Sequence, residues 1–454
     1  MMFYAGYCIN RDLKHVTFKT VIQMDELFNP SEDRKIRNGL IFFSASISIL
    51  FGVGVLVFFV KAVSDSNSIP TTGEPLNLIA FGAFGNFIGG VVGIFFALGG
   101  FLLLFLTLKE QRDNFHKTRI EATFFELIKF HRDNVNELQY IYHETKEEKV
   151  IAEKREVFRI VFFQFKEAWE ELNFIFKNAK PEDIYEKEYL IKIKSNTGIE
   201  ERKINLKEFA QIDIIYSIVF LGLRVENKQT ILDLSAGKYK NSFMNKVLDF
   251  AGLKPKRESD YWETWETISK TDNQHEIFNN ILNKRAGKSP DPIPDTAGAG
   301  DSENTSELQA YYPDDYQKYY SGHQFRLDHY YRHMYQTVEF IDNKKSLTNN
   351  EKYNYIKMLR SQLSGYEQIV FFLNSLSETG RTWELLKKNK ADEEIKKDKQ
   401  LITKYNLIKN IPMQYINPDI NIVNYYPNVN YEHIITATTP EEEVKEPRGI
   451  ILPD

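Results

Sequence analysis

The chain has 454 residues, of which 42% are hydrophobic and 14% aromatic, enough apolar side chain for two or three units with real cores. Lys plus Arg number 58 against 63 Asp plus Glu, a net charge of −5, so no overall positive field announces nucleic-acid binding. The single cysteine, Cys8, excludes an internal disulfide framework and a cysteine-rich zinc site, and it fits a reducing compartment.

Residues 1–39 form a polar N-terminal segment. Leu40–Val60 is then a run of 21 residues without one charge, long enough to cross a hydrocarbon core of about 30 Å. Leu76–Leu108 is a second uncharged run, 33 residues long, whose spanning part is expected near 84–106. A cleavable signal peptide is a poor reading of the first run, which follows a long polar segment and lacks a small-residue cleavage site. Arg34, Lys35 and Arg37 precede the first run, and Lys109, Arg112, Lys117 and Arg119 follow the second. The loop between them carries only Lys61, Asp65 and Glu74. The positive-inside rule therefore predicts a multi-pass hairpin over 40–108, N-in and C-in, with the lipid bilayer as its partner. Ser44, Ser48 and Gly52 recur every four residues on the first span, as do Gly85, Gly89, Gly93 and Ala97 on the second. Small residues at this spacing let helix backbones approach closely, within the hairpin or, on the sharper reading, in a homo-oligomer.

Residues 109–285 read as a cytoplasmic helical region. Phe124, Ile128, His131, Val135 and Leu138 fall on one helical stripe. A helix is expected over 150–177, with Phe158, Phe162, Phe165, Trp169 and Leu172 on its apolar side. Residues 189–206 alternate weakly around a Thr-Gly turn, which predicts a small β-hairpin. Residues 207–223 are apolar but interrupted by Glu208, Gln211 and Asp213, so a buried helix fits better than a third span. Residues 286–307 are Pro-, Gly-, Asp- and Ser-rich and read as a flexible linker. Helical pattern resumes over 308–342, passes a polar turn and continues over 351–377, which predicts an antiparallel helical hairpin within 308–410. Residues 411–454 read as an extended or disordered tail. The expected fold is mainly α: an N-terminal two-helix transmembrane hairpin, then a cytoplasmic α-helical bundle with one small β-hairpin.

The stretch DHYYRHMYQTVEFID (328–342) gathers aromatics, two histidines and an arginine. His329 and His333 are four apart on one face, but two ligands make no metal site, and none is predicted. Arg326 and His333 are separated by six residues, a spacing similar to that of HEPN-type ribonucleases, in which a histidine moves a proton and an arginine steadies phosphate charge without metal. RNA is a partner only on that alternative; otherwise His333 packs beside Tyr330 and Val338. Ile356, Arg360, Leu363, Glu367, Val370 and Asn374 fall on one stripe, so Arg360 and Glu367 interrupt an apolar face. Buried charges need partners. Those expected are His333, Arg332, His329 and the run His131, Arg132, Asp133 and Asn134, in one polar cluster. No phosphate-binding glycine loop, dinucleotide fingerprint or nucleophile elbow is present, and no cofactor is predicted.

Three segments are informative together: NFIGGVVGIFFALGGFLLLFLTLKEQRDNF leading into FFELIKFHRDNVNEL, then YYRHMYQTVEFID, then EKYNYIKMLRSQLSGYEQIVFFLNSLSETG. Their order and wording resemble the phage abortive-infection protein family, the AbiC-like group, over the second span, the first cytoplasmic helix and residues 320–380. The resemblance implies bacterial antiphage defence, in which an infected cell stops growing or dies before phage is released, in answer to an unidentified phage-derived trigger. It places the hairpin in the bacterial inner membrane and implies no particular chemistry. It leaves two readings: a non-enzymatic membrane-anchored sensor or effector, and a membrane-tethered ribonuclease using Arg326 and His333.

Overall fold

The computed structural model describes residues 30–65, 78–194, 203–287, 316–384, 386–387, 400–412, 416, 420–432 and 451–452. The chain divides into two compact units, residues 1–126 with 343–352, and residues 127–342 with 353–454.

In the first unit, α1 (Pro30–Asp65) is followed by α2 (Leu78–Phe87), a π-helical turn (Ile88–Val92) and α3 (Gly93–Asn136). α1 and the helix that begins before the π turn are long and apolar enough to cross a membrane, and only 17% and 11% of their most apolar windows are buried within the chain. Phe42, Leu50, Phe58, Phe101 and Leu104 are all exposed, so these helices are not shielded as the core helices of the second unit are. The two helices meet through small residues. A Cβ on Gly99 would lie 2.6 Å from Ile49, and one on Gly52 would lie 3.1 Å from the Phe95 side chain. Ser48 Oγ donates to Phe95 O at 2.9 Å, and Ala45 is fully buried. Rings fill the rest of the seam, with Phe51 and Phe95 edge to face and Phe59 stacked on Phe87. At the other end Lys109 Nζ donates to Asn38 Oδ1. Of the small residues singled out by spacing, Ser48 and Gly52 therefore lie at the helix–helix contact. Ser44 is exposed and its hydroxyl donates to Leu40 O, Gly85 and Gly89 are exposed with open space beside them, and Gly93 faces only its own π turn.

The second unit takes in the last residues of α3, from Leu127, and then a β-hairpin, β1 (Gln139–His143) paired antiparallel with β2 (Lys149–Glu153), Ile141 opposite Ile151. Then come α4 (Glu156–Lys177), α5 (Pro181–Ile184), α6 (Lys187–Lys194), α7 (Leu206–Leu221), α8 (Val225–Ser235), α9 (Asn241–Ala251), α10 (Trp262–Ser269), α11 (Gln274–Arg285), α12 (Gln324–Asp342), α13 (Asn349–Arg360) and α14 (Gly365–Leu376). A 3₁₀ turn (Arg381–Trp383), β3 (Leu386–Lys387), α15 (Leu401–Tyr405), α16 (Ile422–Tyr425) and β4 (Ile451–Leu452), parallel to β3, complete it. The core is built from α4, α7 and α14, each packed on the other two. α7 is buried on nearly every side, from Phe209 to Leu221, as its continuous apolar run requires. Asn205 caps it, its Oδ1 accepting from Lys207 N and Glu208 N.

Several expectations are corrected. The small hairpin lies at 139–153, not 189–206, where residues 187–194 are helix with Tyr189, Leu190 and Ile193 buried on one face. The helix expected from 150 starts at Glu156, because Lys149–Glu153 pairs with β1. Of the helix expected over 308–342, residues 308–315 lie outside the described residues, 316–323 are irregular, and α12 begins at Gln324. The helix expected over 351–377 is two helices. Ser364 ends the gap as the N-cap of α14, in a capping box with Glu367. Within the segment read as a tail, Ile420, Ile422, Tyr425, Tyr426 and Val429 are buried. The linker lies outside the described residues from 288 onward.

Residues 320–323 dock on 220–223 by backbone alone. Leu223 N donates to Tyr320 O and His323 N to Phe220 O, both at 2.8 Å. The crossing point is glycine on both sides. Gly222 has φ 86° and ψ 171°, a region essentially restricted to glycine, and Gly322 has φ 88°. A Cβ on Gly222 would lie 2.6 Å from Gly322 N, and one on Gly322 would overlap Leu221 O. Gly322→Ala is predicted to destabilise the protein by more than the roughly 1–3 kcal/mol that the backbone conformation alone costs. Gly237→Ala, also at positive φ but beside open space, loses only that conformational part. Chemical denaturation of the two variants measures the difference.

Candidate functional site

Buried polar groups in the second unit converge on the helices that follow Gly322. The first group lies at the start of α12. His323 is fully buried and its Nε2 is 2.7 Å from Gln164 Oε1 on α4, while Gln164 Nε2 donates to the Tyr140 hydroxyl on β1. Gln164 is thus an acceptor toward His323, so Nε2 carries the proton and Nδ1 is bare; Nδ1 has no partner among the described residues. Arg326, one turn on, donates from Nε to Gln139 O and from Nη1 to Gly322 O, and its guanidinium lies 4.8 Å from the Tyr140 ring centroid. Arg326 therefore fastens the β-hairpin to α12.

The second group surrounds Glu367, which is fully buried. Its Oε2 accepts from Ser364 N at 2.6 Å and lies 3.3 Å from Arg155 Nε, and its Oε1 accepts from the Tyr330 hydroxyl at 3.3 Å. Arg155 also donates to Gln362 O. Burial raises the Glu367 pKa, against the opposing pull of Ser364, Arg155 and Tyr330. The His131 ring packs 5.0 Å from the Tyr330 ring and is 1% exposed, with neither nitrogen partnered among the described residues.

The third group was not singled out from the sequence. Arg381 is buried, with Nη2 2.5 Å from Asp213 Oδ2 on α7 and Nη1 2.6 Å from Glu378 Oε2. Asp213 also accepts from the Tyr239 hydroxyl at 2.7 Å and from Glu378 N at 3.0 Å, and Lys238 pairs with Glu378. Burial disfavours the charge on Arg381, but Asp213 beside it, with Tyr189, Tyr239 and Glu378, outweighs that and raises its pKa. Gly380 permits the tight turn that delivers Arg381, since a Cβ there would overlap the Asn374 carbonyl. The sequence did carry a signal: Asp213 lies deep in the apolar run of α7, where a carboxylate needs a buried cation.

The residues expected to share one cluster divide among these places. Glu367 meets Tyr330 and Arg155. Arg360, on α13, donates from Nη1 to Tyr405 O and Asn406 O at 3.2 and 3.1 Å, satisfying carbonyls at the end of α15. His333 is half-buried, edge-on to Phe130 at 6.3 Å, with no partner for its nitrogens among the described residues, and burial lowers its pKa. It exerts a Coulombic effect on His131. His329 and Arg132 are exposed, Asp133 and Asn134 partly so, and Arg332 pairs with Asp328 one turn away on the same helix. Arg326 and His333 stand two turns apart on α12, roughly 10 Å along the axis. Among the described residues no group of three or more potential metal ligands forms.

The buried histidines set a pH limit. Burial first, then His333 and Arg155, holds His131 at about 4, and burial with Arg326 holds His323 at about 3. In the unfolded chain both titrate near 6.5, so below that pH the unfolded state binds protons the folded state refuses. Stability falls as pH drops from about 6.5 toward 4, on the order of a few kcal/mol in all, partly offset by the raised pKa values of Glu171 and Glu367. His131→Phe keeps the ring packing and removes one titration. Its stability curve, measured by denaturation at pH 7 and pH 5, is predicted to be flatter than that of the unsubstituted protein.

Part of these groups, from His323 through Glu367 to Arg381, lies in a segment that matches a family model. No curated protein and no solved structure matches the chain. Residues 322–416, from the glycine crossing through α12–α15, match the family model described as "Putative phage abortive infection protein", the family that the sequence resembles.

Proposed function

We propose that this protein is a membrane-anchored bacterial antiphage defence protein, which senses infection or arrests the infected cell. The observation that carries the reading is the family match over 322–416. Anchoring is supported by the two long apolar helices, whose side chains find little cover within the chain. The basic residues that flank both uncharged runs on the termini side support an N-in, C-in hairpin in the inner membrane. The ribonuclease reading draws no support from Arg326, whose Nε and Nη1 are committed to backbone carbonyls. In this account the polar groups of α12–α14 are a scaffold that positions helices, and action passes through the membrane or through a partner.

Phage challenge of cells expressing the protein tests this. Protection is expected from the unsubstituted protein and from Arg326→Lys and His333→Ala at equal protein level, with the protein in the membrane fraction. Gly99→Leu, which forces a side chain into the helix seam, is expected to abolish protection. Loss of protection together with loss of RNA cleavage in His333→Ala would overturn the scaffold account in favour of the ribonuclease. A reporter fused after Asp454 that worked only outside the cytoplasm would overturn the orientation.

A further inference from the structure

α3 carries one exposed face past the end of its uncharged run. Phe101, Leu104 and Leu108 are exposed on that face within the run. At about 100° per residue, Arg112, Phe115 and Arg119 fall within about 40° of the line through Leu108, so they continue the same stripe for three more turns. Arg112 and Arg119 are exposed, and Phe115 is 75% exposed. Among the described residues neither arginine has an ion-pair or hydrogen-bond partner.

The opposite side of the helix faces the chain. Leu106, Ile120 and Phe124 are buried there, and Lys117 pairs with Glu351 at the start of α13, at 2.8 Å. The carboxylates of this stretch, Glu110, Asp113 and Glu121, lie about 140–160° around the helix from the Leu108 line. Charge is thus segregated. The exposed stripe bears two positive charges and no negative one until Glu126, about 10 Å after Arg119.

At about 1.5 Å per residue, Arg112, Phe115 and Arg119 lie roughly 6, 10 and 16 Å beyond Leu108. The polar layer of one leaflet is about 5–8 Å thick. Side chains of a helix lean toward its N-terminus, which for α3 is toward the uncharged run. Arg112 therefore stands within the headgroup layer, and Phe115 and Arg119 lean back toward it. A guanidinium fork matches phosphate oxygens, and basic residues beside a span are drawn to anionic lipid. A second copy of the chain suits this face less, because a symmetric pairing would set arginine against arginine.

We propose that Arg112, Phe115 and Arg119 form a binding surface for an anionic phospholipid, the arginines taking its phosphate and Phe115 packing against the headgroup layer between them. The proposal rests on the membrane anchoring of the chain and not on the defence reading.

The test is native mass spectrometry of the detergent-solubilised full chain titrated with phosphatidylglycerol or phosphatidylcholine. The unsubstituted protein is expected to bind phosphatidylglycerol at least tenfold more tightly than phosphatidylcholine. Arg112→Gln with Arg119→Gln is expected to bring the two lipids within about twofold of each other, and Phe115→Ala to weaken phosphatidylglycerol severalfold. Lys129→Gln with Arg132→Gln, which removes the same charge farther along α3, is expected to leave the preference unchanged. Equal binding of the two lipids by the unsubstituted protein, or a preference that survives loss of both arginines, would overturn the proposal. So would a dimer that forms through these residues and excludes lipid. Carbonate extraction of cell membranes separates this failure from that of anchoring. A chain that stays in the membrane pellet but shows no lipid preference overturns the lipid surface alone, whereas a chain released to the supernatant overturns anchoring and the lipid surface with it.

Discussion

The interaction on which the second unit most depends is the buried ion pair of Arg381 and Asp213. α7 is buried at every position but one from Phe209 to Leu221, and Asp213 stands in its middle. A carboxylate there is tolerable only with a matched cation, and the cation arrives from another part of the chain, on the turn after α14. The pair therefore fixes where that turn must lie. Tyr239 and Lys238 bring in the segment between α8 and α9 through Asp213 and Glu378, so one site ties two separate stretches of sequence to the core helix. Replaced by well-packed apolar groups such a network could be equally stable; what it adds is a single arrangement of the helices.

The remaining polar groups follow the same logic at smaller scale. Glu367 caps the helix it belongs to and also receives Tyr330 and Arg155. Glu384 accepts from Ile402 N and Thr403 N at the start of α15, and Arg360 holds the carbonyls at its end. Each buried charge in the family-matching segment thus terminates a helix or joins two elements.

Elements set by strong periodicity or by unbroken apolarity were legible in the sequence: the two apolar helices, α7, and the apolar face of α4. The features missed depend on short signals overridden by a longer pattern. Ser-Gly-Tyr-Glu at 364–367 is a capping box, but an apolar stripe that continued across it suggested one helix. That error placed Arg360 and Glu367 on one face, whereas they belong to different helices and satisfy different backbones. The strand Lys149–Glu153 reads in sequence as the start of the helix that follows it, and the weak alternation over 189–206 reads as the hairpin, although the apolar side chains of 189–194 fit a short amphipathic helix equally well. Asp213 was seen only as an interruption because its partner lies 168 positions away, and sequence spacing carries no information at that range.

The most direct test of the central claim is a double-mutant cycle on the buried pair, followed by chemical denaturation of the full chain with tryptophan fluorescence. Arg381→Met and Asp213→Leu are each predicted to cost about 3–5 kcal/mol, because each leaves a buried charge without its main partner, while the double variant recovers most of that loss. Single costs below about 1 kcal/mol that simply add would contradict the claim that this pair holds the helices together.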